Sequence, residues 1–239
     1  MSKFLITQSL LSSWKYQFSD FYDMYEDEEN ATEAVENARE SFLSSLRRER
    51  IPTNAAMLRG RDFEDLVVHI AEGKTFKELM LIEADIENAR IAAGTATKRR
   101  ANTKSNWEKW YSGASAIAEI VRGGTFQVKL NNSLKIGNTE FLLHGRLDAL
   151  KAGIIYDIKF ASRYEYGNFI DSAQHPMYFA LVPEAHTFTY LVFRQYEGAY
   201  EETYRREDTR DIADIITEFM DYLDVQGLTH LYHKHWLAL

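Results

Sequence analysis

Residues 139–161 read "TEFLLHGRLDALKAGIIYDIKFA". Two apolar runs, "TEFLLHGRLDAL" (139–150) and "IIYDIKFA" (154–161), flank the short break "KAG". The pattern predicts two strands joined by a tight turn. The second run holds Asp157 and Lys159 in a segment otherwise suited to burial. Residues i and i+2 of a strand share a face, so these two project together while Tyr156 and Ile158 point the other way. If Lys151 pairs with Ile154, Asp148 falls opposite Asp157, with Cβ atoms about 4.5–5.5 Å apart. Two carboxylates that close repel unless a proton or a cation lies between them. A divalent metal meets that need, and ligands that are all oxygen select a hard ion, Mg²⁺ or Mn²⁺. A lysine beside such an ion can hold and polarise a water or stabilise developing negative charge. An isolated Asp-x-Lys is more often a solvated strand face, so the surroundings decide.

Upstream, the first 120 or so residues read as helical. Leu5, Leu10, Leu11, Trp14, Phe18, Phe21 and Tyr22 recur at spacings of three and four. Further helices are expected over 30–49, 61–73, 75–93 and 105–122. At "RGGTFQVKLNN" the period changes to two and a strand is expected. Downstream, 172–182 reads as helix, 187–196 and 199–206 as strands, 208–224 as an amphipathic helix, and "LTHLYHKHWLAL" as a short helix or mobile tail. The order predicts an α/β (α+β) fold with a central mixed sheet flanked by helices. The chain is expected to form one domain: a helical part over about 1–122, a sheet core over about 123–207 and C-terminal helices over about 208–239.

Composition narrows the function. The absence of Cys excludes disulfides, thiolate zinc sites and iron–sulfur clusters. There is no apolar run of about 18 residues and no signal-peptide pattern, so a cytoplasmic protein without membrane attachment is expected. The net charge of −8 argues against non-specific coating of nucleic acid but leaves room for a local basic groove. "LRRER" (46–50), "LRGR" (58–61) and "TKRRANTK" (97–104) are basic, and Arg59, Arg61 and Arg99 are candidates to contact phosphates. The chain lacks G-x-x-x-x-G-K-[ST], so it carries no Walker A site. Ser12 and Ser13 lack a matching His/Asp pattern. His144 reads as structural, and His230, His233 and His235 as part of a tail.

D-x(8)-D-x-K at a hairpin resembles the PD-(D/E)XK nuclease core, in its RecB-like and phage-lambda-exonuclease-like branch. "GRLD" supplies the branch's glycine before the first acid, Gly145. "QHPMY" supplies Q-x-x-x-Y, Gln174 to Tyr178, and "GRDFE" supplies G-x-x-x-(E/H), Gly60 to Glu64. The N-terminal "SLLSSWKYQF" also resembles the opening of RecB-like domains. The resemblance spans roughly 5–195 and implies a restriction-endonuclease-like core. It implies that Asp148, Asp157, Glu64 and the carbonyl of Ile158 bind Mg²⁺, with Mn²⁺ as a substitute. It also implies that Lys159 is the catalytic lysine and that Gln174 and Tyr178 border the site. Pro176 is compatible with a helix there if Asp171 or Ser172 caps it. The second acid is Asp where Glu is common in the family.

The implied activity is metal-dependent hydrolysis of DNA phosphodiester bonds, leaving a 5′-phosphate. An exonuclease processing DNA ends in recombination or repair is expected; a phage origin with action in the host cytoplasm, a strand-annealing partner and a homo-oligomer are compatible with it. The rival classes are a non-catalytic binding or assembly subunit that kept the fold, and a junction-resolving or RNA-directed nuclease.

Overall fold

The hairpin builds the centre of a mixed sheet. In the computed structural model, which describes residues 3–24, 27–50, 52–96 and 104–238, the six strands are β1 (Lys3–Thr7), β2 (Thr125–Ile136), β3 (Thr139–Lys151), β4 (Ile154–Ala161), β5 (Thr187–Arg194) and β6 (Gly198–Arg205). Lys151 pairs with Ile154, as the spacing requires. The turn residues Ala152 and Gly153 both have positive φ, 50° and 75°, the geometry that follows the twist of a two-residue hairpin. β3 takes β2 along one edge, antiparallel. Its other edge is shared: β1 pairs in parallel with Glu140–His144, and β4 pairs only from Ala149. Between them, 145–148 of β3 have no strand partner on that side, and the sheet forks. β4 continues into parallel β5, and β5 into antiparallel β6.

Helices cover both faces. One core joins α1 (Gln8–Tyr16), α3 (Glu28–Leu46), α7 (Gln174–Leu181), α8 (Ile212–Val225) and α9 (Thr229–His235) to the sheet through Leu10, Phe42, Met177, Phe219 and Tyr232. The other joins α4 (Ala55–Ala71), α5 (Phe76–Ala92) and α6 (Asn106–Val121) through Phe63, Leu79 and Trp110. A short α2 (Phe21–Met24) completes the N-terminal helices. The layers are therefore helix, mixed sheet, helix, which is the expected fold class.

Three expectations are corrected. The N-terminus opens as strand β1, with Phe4 and Ile6 buried and the intervening residues half-exposed. Helix begins only after Thr7, whose Oγ1 accepts from the Leu10 amide at 3.2 Å. The C-terminal segment is a docked cover. Leu5 N donates to Trp236 O at 2.7 Å and Ala238 N to Lys3 O at 2.7 Å. Tyr232 OH donates to Leu5 O at 3.0 Å, and His233 stacks on Phe4 at 4.5 Å. This pairs the outer edge of β1, which an open sheet would leave exposed. Helix α4 begins at Ala55 rather than at 61, capped by Asn54.

Candidate active site

The fork is made by a pivot in two strands. Phe126 pairs with Ala149 and Val128 with Leu147. Side chains of equal parity should share a face. Yet Phe126 and Ala149 belong to the α4–α6 core, whereas Val128 and Leu147 belong to the opposite one. Gln127 and Asp148 fall between these pairs and form no ladder pair themselves. Gln127 has φ 54°, a left-handed conformation that L-residues rarely adopt and that costs of order 1–3 kcal/mol. The pivot turns Asp148 into the fork. There Asp148 Oδ2 accepts from the Ile158 amide at 2.8 Å. Asp148 and Asp157 are therefore brought together by a side chain reaching across diverging strands. The expectation that Asp148 lies opposite Asp157 in a continuous ladder is corrected: pairing stops at Ala149 and Tyr156.

Asp157 is 3% exposed and projects from the face opposite Tyr156 and Ile158, both of which join the α4–α6 core. Lys159 shares its face, and Lys159 Nζ lies 2.6 Å from Asp157 Oδ2. The two form an ion pair in which Oδ2 is shut off from solvent and the Lys159 ammonium is its close neighbour. Gln174 Nε2 donates to Asp157 Oδ1. Gln174 opens α7, where Ser172 Oγ accepts from the Gln174 amide at 3.1 Å. The expected cap at Asp171 or Ser172 is corrected: the N-cap is Ala173, with no side-chain cap, and Pro176 is tolerated because the amide it lacks, at the third residue of the helix, would have had no intrahelical partner.

Tyr178 lies one turn on. Its hydroxyl donates to Arg146 O at 2.9 Å, and its ring packs over Gly145. A Cβ at Gly145 would lie 2.7 Å from both Tyr178 Cε1 and Leu181 Cδ1. Gly145 is thus needed for α7 to sit close enough to deliver Gln174. Gly60 has no such role, because nothing lies within 4 Å of a Cβ built there.

Glu64 arrives from α4, on the other side of the sheet. Phe63, its neighbour, stacks on Phe193 at 4.6 Å. The Arg90 guanidinium grips Asp62 at 2.6 and 2.9 Å, fixing α4 to α5. Glu64 Oε1 accepts from Gln127 Nε2 and lies 4.0 Å from Arg146 Nη2.

Glu64, Asp148, Asp157, Ile158, Lys159, Gln174 and Tyr178 all line one open cleft of about 460 Å³. The cleft also takes in Gln8 and Arg146, neither of which was singled out in the sequence. Gln127 was missed for a different reason: its part depends on a backbone conformation that a single Gln in a strand pattern does not announce. Arg59 and Arg61 are exposed on α4 and do not line the cleft. Arg99 lies outside the described residues. His144 bonds to Asn131 at 2.7 Å across the sheet, consistent with a structural part, although its edge also touches the cleft.

The electrostatics are those of crowded carboxylates. Burial, followed by the charges of Asp157 and Glu64, pushes the Asp148 carboxyl well above the usual carboxylate range. Burial also raises Asp157, against the opposing pull of Lys159. Burial disfavours the Lys159 cation, but Asp157 and Asp148 outweigh it and leave its pKa raised, so the ammonium stays charged. Among the described residues no cluster of three or more His, Asp or Glu side chains stands ready-made around an ion position. Each site carboxylate is instead engaged by protein donors.

No protein-family model matches this sequence. No curated protein matches it either. Among solved structures, SSO0001 is 15% identical, with 79% of this chain and 86% of that one covered and a TM-score of 0.40. A protein from Eubacterium rectale, described as "Putative exonuclease", is 11% identical, with 97% and 82% covered and a TM-score of 0.49. Both likenesses are too distant to carry an argument, and the site stands on its own geometry.

Proposed function

We propose that the chain is a metal-dependent DNA nuclease that hydrolyses phosphodiester bonds in the forked cleft. The observation that carries this reading is the convergence, in one cleft, of three carboxylates from three elements with a charged lysine at their side. Such a set is costly for a fold to keep. It buries Asp148 and Asp157 side by side, close to Glu64, and lifts the proton affinity of both. A divalent cation answers this, since the carboxylate oxygens can coordinate it and it cancels their repulsion. The donors are all hard oxygens, which fits Mg²⁺, or Mn²⁺ in its place.

Asp148, Asp157, Glu64 and the Ile158 carbonyl would hold the ion. When bound it supplies Lewis acidity toward the phosphate and a more acidic water. Binding asks Gln127 to yield Glu64 and Lys159 to move off Asp157. The freed Lys159 ammonium then orients the attacking water or faces the charge that builds on the phosphate. Gln174 keeps Asp157 in its rotamer. Tyr178, hydrogen-bonded to the backbone of Arg146, braces α7 against Gly145. Arg146, about half exposed at the cleft rim, is placed to meet a backbone phosphate.

The resemblance to the RecB-like and lambda-exonuclease-like branch favours end-processing over internal cutting, and with it a part in recombination or repair beside a strand-annealing partner. The test is incubation with 5′- and 3′-labelled linear, nicked and closed circular DNA, with and without Mg²⁺. The account expects digestion of linear DNA, dependence on the metal and resistance of the closed circle. No cleavage with either Mg²⁺ or Mn²⁺ would overturn it in favour of a non-catalytic subunit.

A further inference from the structure

The cleft does not end at Lys159. It continues into a larger groove of about 900 Å³ that shares Gln8, Lys159 and Gln174 with it. One wall is the end of α1, where Tyr16 and Phe18 are 55% and 61% exposed. Tyr16 meets Phe21 edge to face at 5.3 Å and Phe18 meets Tyr222 likewise at 5.5 Å, so neighbouring rings hold both in place while more than half of each stays exposed beside the cleft. The other wall is the segment 168–173. Its Phe169 stacks on Tyr190 at 4.0 Å. The buried Glu202 carboxylate pins it, accepting from the amides of Gly167 at 3.1 Å and Phe169 at 3.4 Å. The groove is therefore held open by fixed backbone.

We propose that this groove takes a single DNA strand, with bases stacked on Tyr16 and Phe18 while the adjoining phosphate lies in the cleft. The inference rests on the nuclease reading and names the form of substrate that the site accepts. Charge separates a single strand from a duplex. Lys15 and Lys159 line the groove, but so do Asp20, Asp171 and Glu218, the last paired with Arg210 at 2.6 Å. A duplex presents one negative charge per about 1.7 Å of axis, and this lining has no excess of cations to neutralise it. A base, by contrast, offers a flat face to any exposed ring, and stacking of that kind needs no charge.

The test is fluorescence anisotropy in the absence of divalent metal, so that binding is read apart from cleavage. The probes are a short oligodeoxythymidylate, an abasic strand of equal length and the corresponding duplex. The proteins are wild type and Tyr16→Leu/Phe18→Leu, which keeps apolar bulk and loses the ring faces. The double variant should bind the thymidylate strand about tenfold or more weakly, with no change for the abasic strand or the duplex. For wild type, log K against log salt should be no steeper than about −1.4, two phosphate contacts' worth for a single strand. Equal binding of the thymidylate strand by both proteins overturns the groove, as does equal binding of abasic and thymidylate strands by wild type. Failure of wild type to bind the strand at all does the same. Cleavage assayed in parallel separates the two claims. Ring-dependent binding without any Mg²⁺- or Mn²⁺-dependent cleavage sinks the nuclease reading and leaves the groove standing.

Discussion

Asp157 and Lys159 were legible because a strand has period two, and that alone placed them on one face. Asp148 was legible as a partner, though its route to Asp157 was not, since the pivot at Gln127 lies in backbone angles. The raised proton affinity of Asp148 has a testable sign. Between the usual carboxylate range and its raised folded value, the folded state holds more protons than the unfolded one. Stability from this group therefore falls as pH rises through that window, and the cost is fully present above it. Asp148→Asn, which keeps an oxygen to accept from Ile158, should raise the Tm of the metal-free protein at neutral pH, by about 2–4 °C for each kcal/mol relieved. Mg²⁺ should raise the Tm of wild type by mass action and leave the variant unmoved. Thermal melts with and without Mg²⁺ read both effects, and a less stable metal-free variant would contradict the account. His175 works in the opposite sense. Burial lowers its pKa to about 4, with Glu202 opposing that shift and Lys15 adding to it, and it stacks on Tyr204 at 4.2 Å. Its neutral form stabilises the fold above about 6.5, and that contribution is lost as pH falls toward 4, to a total of about 3 kcal/mol. His175→Phe should keep the stack and flatten this acid limb in denaturant titrations; an unchanged limb would show that His175 does not titrate there.

At the scale of elements, the hairpin and most helices followed from period and caps. Strand β1 did not. Its five residues precede Leu10, Leu11 and Trp14, whose helical spacing absorbed Leu5 into the same pattern. Its partners, β3 and the 236–238 segment, are more than 130 residues away, beyond any local window. The docking of the C-terminal segment was hidden for the same reason: Trp236 is buried and donates to Leu46 O at 2.8 Å, a contact across 190 residues. Gly145 was read as a motif position, and packing supplies its reason. Gly145→Ala would place a methyl 2.7 Å from Tyr178 and Leu181, so α7 must shift, at a cost of about 1–3 kcal/mol. The shift draws Gln174 away from Asp157. The expected result is a lower denaturation midpoint together with weaker Mg²⁺ affinity by calorimetry. Lost stability with unchanged Mg²⁺ affinity would mean that α7 does not position the candidate carboxylates.

Across the whole molecule, the candidate site lies at the gap in the sheet between β1 and β4. Glu64 comes from one layer, Gln174 from the other, and Asp148, Asp157 and Lys159 from the sheet between them. The sequence listed these residues in order, but their meeting needed the fork, which arises because β1 and β4 share one edge of β3. Among the described residues no helix is long and apolar enough to cross a membrane. The central claim is that this meeting point hydrolyses DNA, with Lys159 serving the chemical step and Asp157 the metal. A protonated lysine has only donors and cannot ligate the ion. The most direct test pairs Mg²⁺ binding by calorimetry with single-turnover cleavage of end-labelled DNA, for wild type, Lys159→Ala and Asp157→Asn. The account predicts that Lys159→Ala still binds Mg²⁺ and cleaves about 10²–10³ more slowly, while Asp157→Asn loses both metal affinity and turnover. Cleavage by Lys159→Ala at the wild-type rate would contradict it.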